Sequence, residues 1–150
     1  LLDLFLRHPE QWRLLRERPE LAAAAVEEAM RLRPTTTWVT REALEDFEFQ
    51  GLEIKGGTTV HLFTAAAGTD PLKISDEEFD ITKTRPLHFG FGKGPHFCVG
   101  QFVARTDMGV ALTVLPARMH VPRENGEVRW LPDSGNTGPI SFPIAFEKRA

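Results

Sequence analysis

The chain has 150 residues, 41% of them hydrophobic and 26% charged, with a formal net charge of −3. That balance suits one soluble globular unit long enough to bury a core, and it offers no basic footprint for nucleic acid. A single cysteine excludes a disulfide-stapled scaffold, and no apolar run approaches the roughly 20 residues that a membrane-spanning helix needs.

The sequence opens LLDLFLRHPEQW, without an initiator Met. Leu1, Leu2, Leu4, Phe5 and Leu6 read as the tail of an apolar helix, and a domain seldom opens on half a buried helix. The expectation is therefore a fragment, residues 1–150 forming the C-terminal portion of one larger domain. Pro9 and Pro19 each suit a first helical turn, which predicts a short helix around Glu10 to Arg16 and a longer one from about Glu20 to Leu32, ended by Pro34. The β-branched and aromatic TTTWVTR predicts a strand. FEFQGLEI follows with a hairpin-like turn at Gly51, then TTVHLF as another strand, then a short helical turn in AAAGTDP. Residues 71–90 read as irregular loop, and Val99 to Leu115 as a helix stopped by Pro116. Short strands are expected at Met119 to Val121, Val128 to Leu131 and Ser141 to Phe146, with turns at ENGE and DSGNTGP. The order of helices, small sheet, loop, helix, small sheet is an α+β layout with no repeat and no linker.

The stretch HFGFGKGPHFCVG, residues 88–100, holds the only cysteine. A lone Cys is ordinarily a small buried hydrophobe. Here Cys98 stands just before a predicted helix, where unpaired amides and the helix dipole favour an anion and so a thiolate. Gly92, Gly94 and Gly100 allow tight turns and close approach of a flat partner, and Pro95 stiffens the loop. Such a thiolate serves as a nucleophile, a zinc ligand or a haem ligand. A nucleophile wants a base, and His96 is too near in sequence, with no third orienting group. Zinc wants four ligands, and His88, His96 and Cys98 supply at most three at an unfamiliar spacing. GFGKG fits neither phosphate-loop pattern. Haem ligation needs one thiolate, a glycine-lined approach and an aromatic shield, which uses every feature of the loop.

FGKGPHFCVG, Phe91 to Gly100, resembles the haem-binding loop of the cytochrome P-450 family, F-G-x-G-x-H-x-C-x-G, at every fixed position, and GQFVAR is similar to the run that follows it. The resemblance implies that Cys98 is the axial ligand of the haem iron, with Phe91 packed beside it across Gly92. It implies that the amides of Val99 and Gly100 bond the sulfur and that His96 meets a haem propionate. In VEEAMRLRP, Glu28 and Arg31 share a helix face and resemble the family's E-x-x-R structural pair. Arg41, in TWVTR, stands where the family places an arginine on a propionate, and a guanidinium matches a carboxylate bidentately. Thr37 and Val39, with Thr137 in the turn SGNTG, resemble segments bordering the substrate pocket. Two departures are visible. DEEFD places Glu78 before Phe79, where the family carries Arg or His in a three-way network with the pair; Glu78 can pair with Arg31, but the charge is reversed. The family's N-R-D-P reads Gly68, Thr69, Asp70, Pro71.

The resemblance covers essentially the whole chain and implies the C-terminal part of the mainly helical cytochrome P-450 fold, most like soluble bacterial members. It implies a haem-thiolate monooxygenase that inserts one oxygen atom of O2 into a hydrophobic small molecule. Its cofactor would be haem b, its electrons would come from NAD(P)H through a ferredoxin-type donor and its reductase, and its location would be cytoplasmic. Lys93 is a candidate docking cation for an acidic donor. The acid/alcohol pair of the family's central helix lies outside this sequence, so the fragment alone is expected to be inactive. A haem-binding carrier or sensor without turnover, and a non-haem thiol or zinc module, are the alternatives.

Overall fold

Prolines that lack a donor, and apolar residues at helical spacing, shape the first third of the chain. The computed structural model describes every residue except Ser75, Glu77, Asp133 and Ala150. Helix α1 (Leu2–Arg7) stops at His8, and α2 (Pro9–Glu17) restarts with proline in its first turn, where a missing N–H costs nothing. After a 3-10 turn at Pro19–Leu21 comes α3 (Ala22–Leu32). One face of α3 is Ala22, Ala25, Val26 and Ala29, small side chains that bring its backbone close to the last helix. Leu4, Phe5, Trp12, Leu15, Val26 and Leu112 form the centre of the core, each of the larger ones stabilising the fold by about 1.5–3 kcal/mol on burial. Phe5 meets Trp12 and Phe79 edge-on, with ring centres 5.6 and 5.1 Å apart.

The strands form four two-stranded antiparallel ladders among the described residues. Strand β1 (Val39–Glu42) pairs with β4 (Thr59–Leu62), and β2 (Phe47–Phe49) with β3 (Leu52–Ile54). The β2–β3 turn has Gln50 and Gly51 both at positive φ, 51° and 80°, as a two-residue hairpin requires. A short helix α4 (Thr64–Ala67) follows. No regular element occurs among the described residues from 68 to 93, and then α5 (Gln101–Arg118) runs back along α3 and α2. Strands β5 (Arg123–Glu124) and β8 (Ile144–Ala145) pair, as do β6 (Arg129–Trp130) and β7 (Pro139–Ser141).

The α+β layout agrees with the expectation; several boundaries move and one expected strand is absent. Helix α5 starts two residues later and runs through Pro116, because the Met119 N–H still reaches the Leu115 carbonyl at 2.9 Å after the proline has dropped one bond. TTTWVTR extends regularly only from Val39, while Thr36 makes an isolated bridge to Asn136. Met119 also makes only a single bridge, to Lys148, in place of the strand expected there. The expected strand over Ser141 to Phe146 is divided between β7 and β8 at Pro143, which has no N–H for a ladder. In the turn DSGNTGP, Asp133 lies outside the described residues, as do Ser75 and Glu77 of the long loop.

Candidate functional site

The cysteine loop is built from backbone bonds and two left-handed glycines. Gly92 and Gly94 have φ of 73° and 74°, a region that side chains disfavour. Gly94–His96 forms a 3-10 turn, the Phe97 N–H returns to the Gly94 carbonyl at 3.0 Å, and the Cys98 N–H bonds the Phe91 carbonyl at 3.0 Å. Cys98 is a free, exposed thiol, so the reading of a buried hydrophobe does not apply. Gly100 is the N-cap of α5, whose positive end therefore opens just after the sulfur's residue. Val99 is 98% and Phe102 74% exposed, and Phe97 and Val103 are exposed apolar side chains in the residues flanking Cys98. Phe91 is half-buried against the core.

Behind the loop lies a buried charge network. Glu28 and Arg31 are 2% and 1% exposed and bond bidentately, Nε to Oε2 at 2.7 Å and Nη2 to Oε1 at 2.8 Å. Arg31 also donates through Nη1 to the Gly68 carbonyl at 2.8 Å and through Nη2 to the Glu78 carbonyl at 3.3 Å. Glu78 thus meets Arg31 through its backbone, while its carboxylate turns outward to within 3.6 Å of Lys83 Nζ. The third cation comes from Arg85, a residue the sequence reading did not single out. It donates to Glu28 Oε1 at 3.3 Å, to Asp76 Oδ1 at 2.8 Å and to the Glu78 carbonyl at 2.9 Å. The Arg85 guanidinium holds the Asp76 carboxyl well below the usual range, with Lys83 assisting.

A second network, also missed by spacing, joins α3 to α5 across the loop. Glu27 Oε1 accepts from Arg105 Nε at 2.5 Å, and Oε2 from Arg105 Nη2 at 3.0 Å, while His88 Nε2 stands 3.0 Å from Oε2. Arg105 lowers the Glu27 pKa against the opposing effect of burial. Arg105 and His88 lie 78 and 61 positions from Glu27, so no local periodicity signals either contact. The only visible hints were the presence of Arg105 in GQFVAR and of His88 at the head of the loop.

The remaining predicted residues are spread more widely. Arg41, on β1, is exposed and donates to the Thr40 carbonyl at 2.7 Å. His96 and Lys93 are exposed on the loop. Thr37 and Thr137 line a common cavity of about 740 Å³ with Leu1, Leu4, Leu112 and Trp130, whereas Val39 is outside it. The Thr137 N–H bonds the Thr35 carbonyl at 2.7 Å, which ties the SGNTG turn to the segment before β1. No residue of the cysteine loop lines that cavity.

A solitary exposed thiol, a turn of glycines that lets a planar group approach, and flanking apolar side chains suit a single-thiolate ligand site for a flat apolar cofactor. Among the described residues no three His, Cys, Asp or Glu converge as metal donors, so the zinc reading finds no ligand set. The cytochrome P450 family model matches residues 7–121. Luteothin monooxygenase of Streptomyces thioluteus is 41% identical over 145 residues, 95% of this chain and 36% of that protein. The biotin biosynthesis cytochrome P450 of Bacillus subtilis (strain 168) is 37% identical over 144 residues, again 95% of this chain and 36% of that protein. P450BioI, solved in complex with hexadec-9Z-enoic acid ligated acyl carrier protein, superposes with a TM-score of 0.90 at 37% identity, covering 95% of this chain and 38% of that chain. Cytochrome P450 CYP109Q5 from Chondromyces apiculatus gives a TM-score of 0.91 at 29% identity, covering 99% of this chain and 39% of that chain. This chain belongs to the cytochrome P450 family. It spans little more than a third of the length of these relatives, 36% to 39% of each in these comparisons. Among the described residues no helix is long and apolar enough to cross a membrane.

Proposed function

We propose that the chain is the C-terminal part of a single-domain haem-thiolate monooxygenase that inserts one oxygen atom of O2 into a hydrophobic small molecule. The observation that carries this reading is Cys98, an exposed single thiol at the end of a glycine-turned loop, ahead of the positive end of α5. Haem b, once bound, supplies the iron at which O2 is activated, and a thiolate ligand favours O–O cleavage there. Cys98 would hold the iron through its thiolate. Phe91, beside it, keeps water from the sulfur, and the amides of Val99 and Gly100 stabilise its charge. Gly92 leaves room for a planar group. Arg41 and His96 bind the propionates; both are exposed, and the Arg41 guanidinium spends one donor on a backbone carbonyl, leaving others for a carboxylate. Thr37, Val39 and Thr137 are the candidate substrate contacts.

Electrons come from NAD(P)H through a ferredoxin-type donor and its reductase, with Lys93 available to an acidic surface of the donor. The test is the spectrum of the reduced, CO-saturated full-length protein. A Soret band at roughly 450 nm, lost on Cys98→Ser because an alcohol is a poor anion at neutral pH, is the expected result. An unchanged band in Cys98→Ser refutes ligation by this residue. Turnover with reductant then separates an oxygenase from a haem carrier or sensor.

A further inference from the structure

The loop that carries Cys98 is exposed from Lys93 to Val99, so the sulfur's position depends on how the loop's inner end is fastened. His88 Nδ1 accepts the Gly90 N–H at 3.0 Å, which leaves the ring proton on Nε2 to donate to Glu27. The same Glu27 carboxylate holds Arg105 in a fork, and Arg105 Nη1 also donates to Gln101 Oε1. Held flat in this way, the Arg105 guanidinium carbon stands 4.4 Å from the centre of the Phe91 ring. The Phe91 carbonyl in turn accepts the Cys98 N–H at 3.0 Å. A continuous path therefore runs from Glu27 on α3, through Arg105 on α5, to Phe91 and the backbone of Cys98. The path also carries a cation toward the loop: the Arg105 pKa is raised chiefly by its bond to Glu27.

We propose that Arg105, fixed by Glu27 and His88, is a positioning residue for the Cys98 thiolate, setting both the seat of Phe91 and the charge felt at the sulfur. The inference rests on the haem-thiolate reading and adds that the ligand's environment is a balanced cation–anion pair reaching it from two helices.

The test compares the full-length, haem-loaded protein with Arg105→Ala, Arg105→Lys and Glu27→Gln, reading the CO-difference spectrum of the reduced form and the midpoint potential of the species that keeps its thiolate band. Removing the Arg105 cation favours ferric iron and lowers the potential; removing the Glu27 anion raises it. Arg105→Ala should also move at least half of the Soret intensity to shorter wavelength. Arg105→Lys, which keeps the charge and loses the fork and the stacking, should keep the potential near wild type while showing part of that spectral change. Potential shifts of the same sign in Arg105→Ala and Glu27→Gln, or no shift in either, overturn the proposal and leave a merely structural clamp. Should Arg105→Ala fail to fold, the contrast between Arg105→Lys and Glu27→Gln decides on the same criteria. A wild-type protein with no thiolate band overturns the haem-thiolate reading itself, an outcome distinct from a normal wild type with unresponsive variants.

Discussion

Glu28 keeps its charge almost wholly out of water because Arg31 grips both oxygens and Arg85 and the Asp80 N–H add to one of them. Breaking a buried pair leaves an uncompensated charge, so Arg31→Ala should cost about 3–5 kcal/mol. Arg85→Ala leaves the Arg31 fork intact and should cost about 1.5–3 kcal/mol, the range for hydrogen bonds to charged groups. Glu78→Ala removes only an outward carboxylate and should stay within about 0.5 kcal/mol of wild type. Denaturant unfolding of the full-length protein measures all three, and an Arg85→Ala variant as stable as Glu78→Ala would remove Arg85 from the network. The acid limit follows from carboxyls held below their ordinary values. Glu27 stands below 4.5 chiefly because of Arg105, and Asp80 below 3.8 chiefly because of its bond to Thr82. A depressed folded pKa contributes stability that is complete above the unfolded value and lost as pH falls through the folded one. Stability from these groups should therefore hold down to about pH 4.5 and decline below it, and Glu27→Gln should flatten that decline in an acid-unfolding series.

Elements meet here through backbone as much as through side chains. The end of α4 lies so close to the end of α3 that a Cβ on Gly68 would overlap the Arg31 carbonyl oxygen and press on the Ala65 carbonyl. The Gly68 carbonyl is also the acceptor for Arg31 Nη1, so any shift that relieves the overlap disturbs the buried pair. Gly68→Ala should destabilise by about 1–3 kcal/mol, as overpacking does, with a fall in Tm that checks it. The glycine that the sequence shows in place of the family's asparagine is in this sense a packing requirement of two helices. On α5, Gln101, Met108, Leu112 and Leu115 lie along the inner stripe, while Phe102, Val103, Val110 and Val114 are exposed. That second apolar face gives α5 no single polar side, unlike α2, where Trp12 and Leu15 face inward and arginines outward.

Over the whole molecule, the Cys98 side of the proposed site is built from α3, the long loop and α5, whereas a haem is a flat apolar disc that must be covered on both faces. Exposed apolar groups as numerous as Leu87, Phe97, Val99, Phe102 and Val103 favour aggregation when nothing covers them. Residues 1–150 expressed alone should therefore take up haem weakly and show no coupled substrate oxidation with a ferredoxin, its reductase and NADH. Titration with haemin and a product assay check this, and stoichiometric uptake with product formation would contradict it.

How much of this was legible beforehand depended on the range of the interactions involved. The helices, the β2–β3 hairpin, the irregular character of residues 71–90 and the special nature of Cys98 are written in local signals: prolines at first turns, β-branched runs, glycines at left-handed positions. Glu28 and Arg31 were visible as a pair because three residues bring two side chains to one helix face. Local signals failed where tertiary contacts overrode them, as at Pro116, carried inside α5 by the bonds that follow it, and at Pro143, which divides one expected strand. They were silent on Arg85 and Glu27, and they assigned no contact to His88 or Arg105. The reversed charge at Glu78 put the usual three-way network in doubt, and only the folded chain shows that a guanidinium seven residues later reaches the Glu28 carboxylate and the Glu78 backbone carbonyl. The sequence by itself determined most of the element types and the turns of the glycine-rich cysteine loop, because backbone preferences act over a few residues. The tertiary structure decided which charges meet, because a buried ion pair depends on which distant segments the core brings within bonding distance.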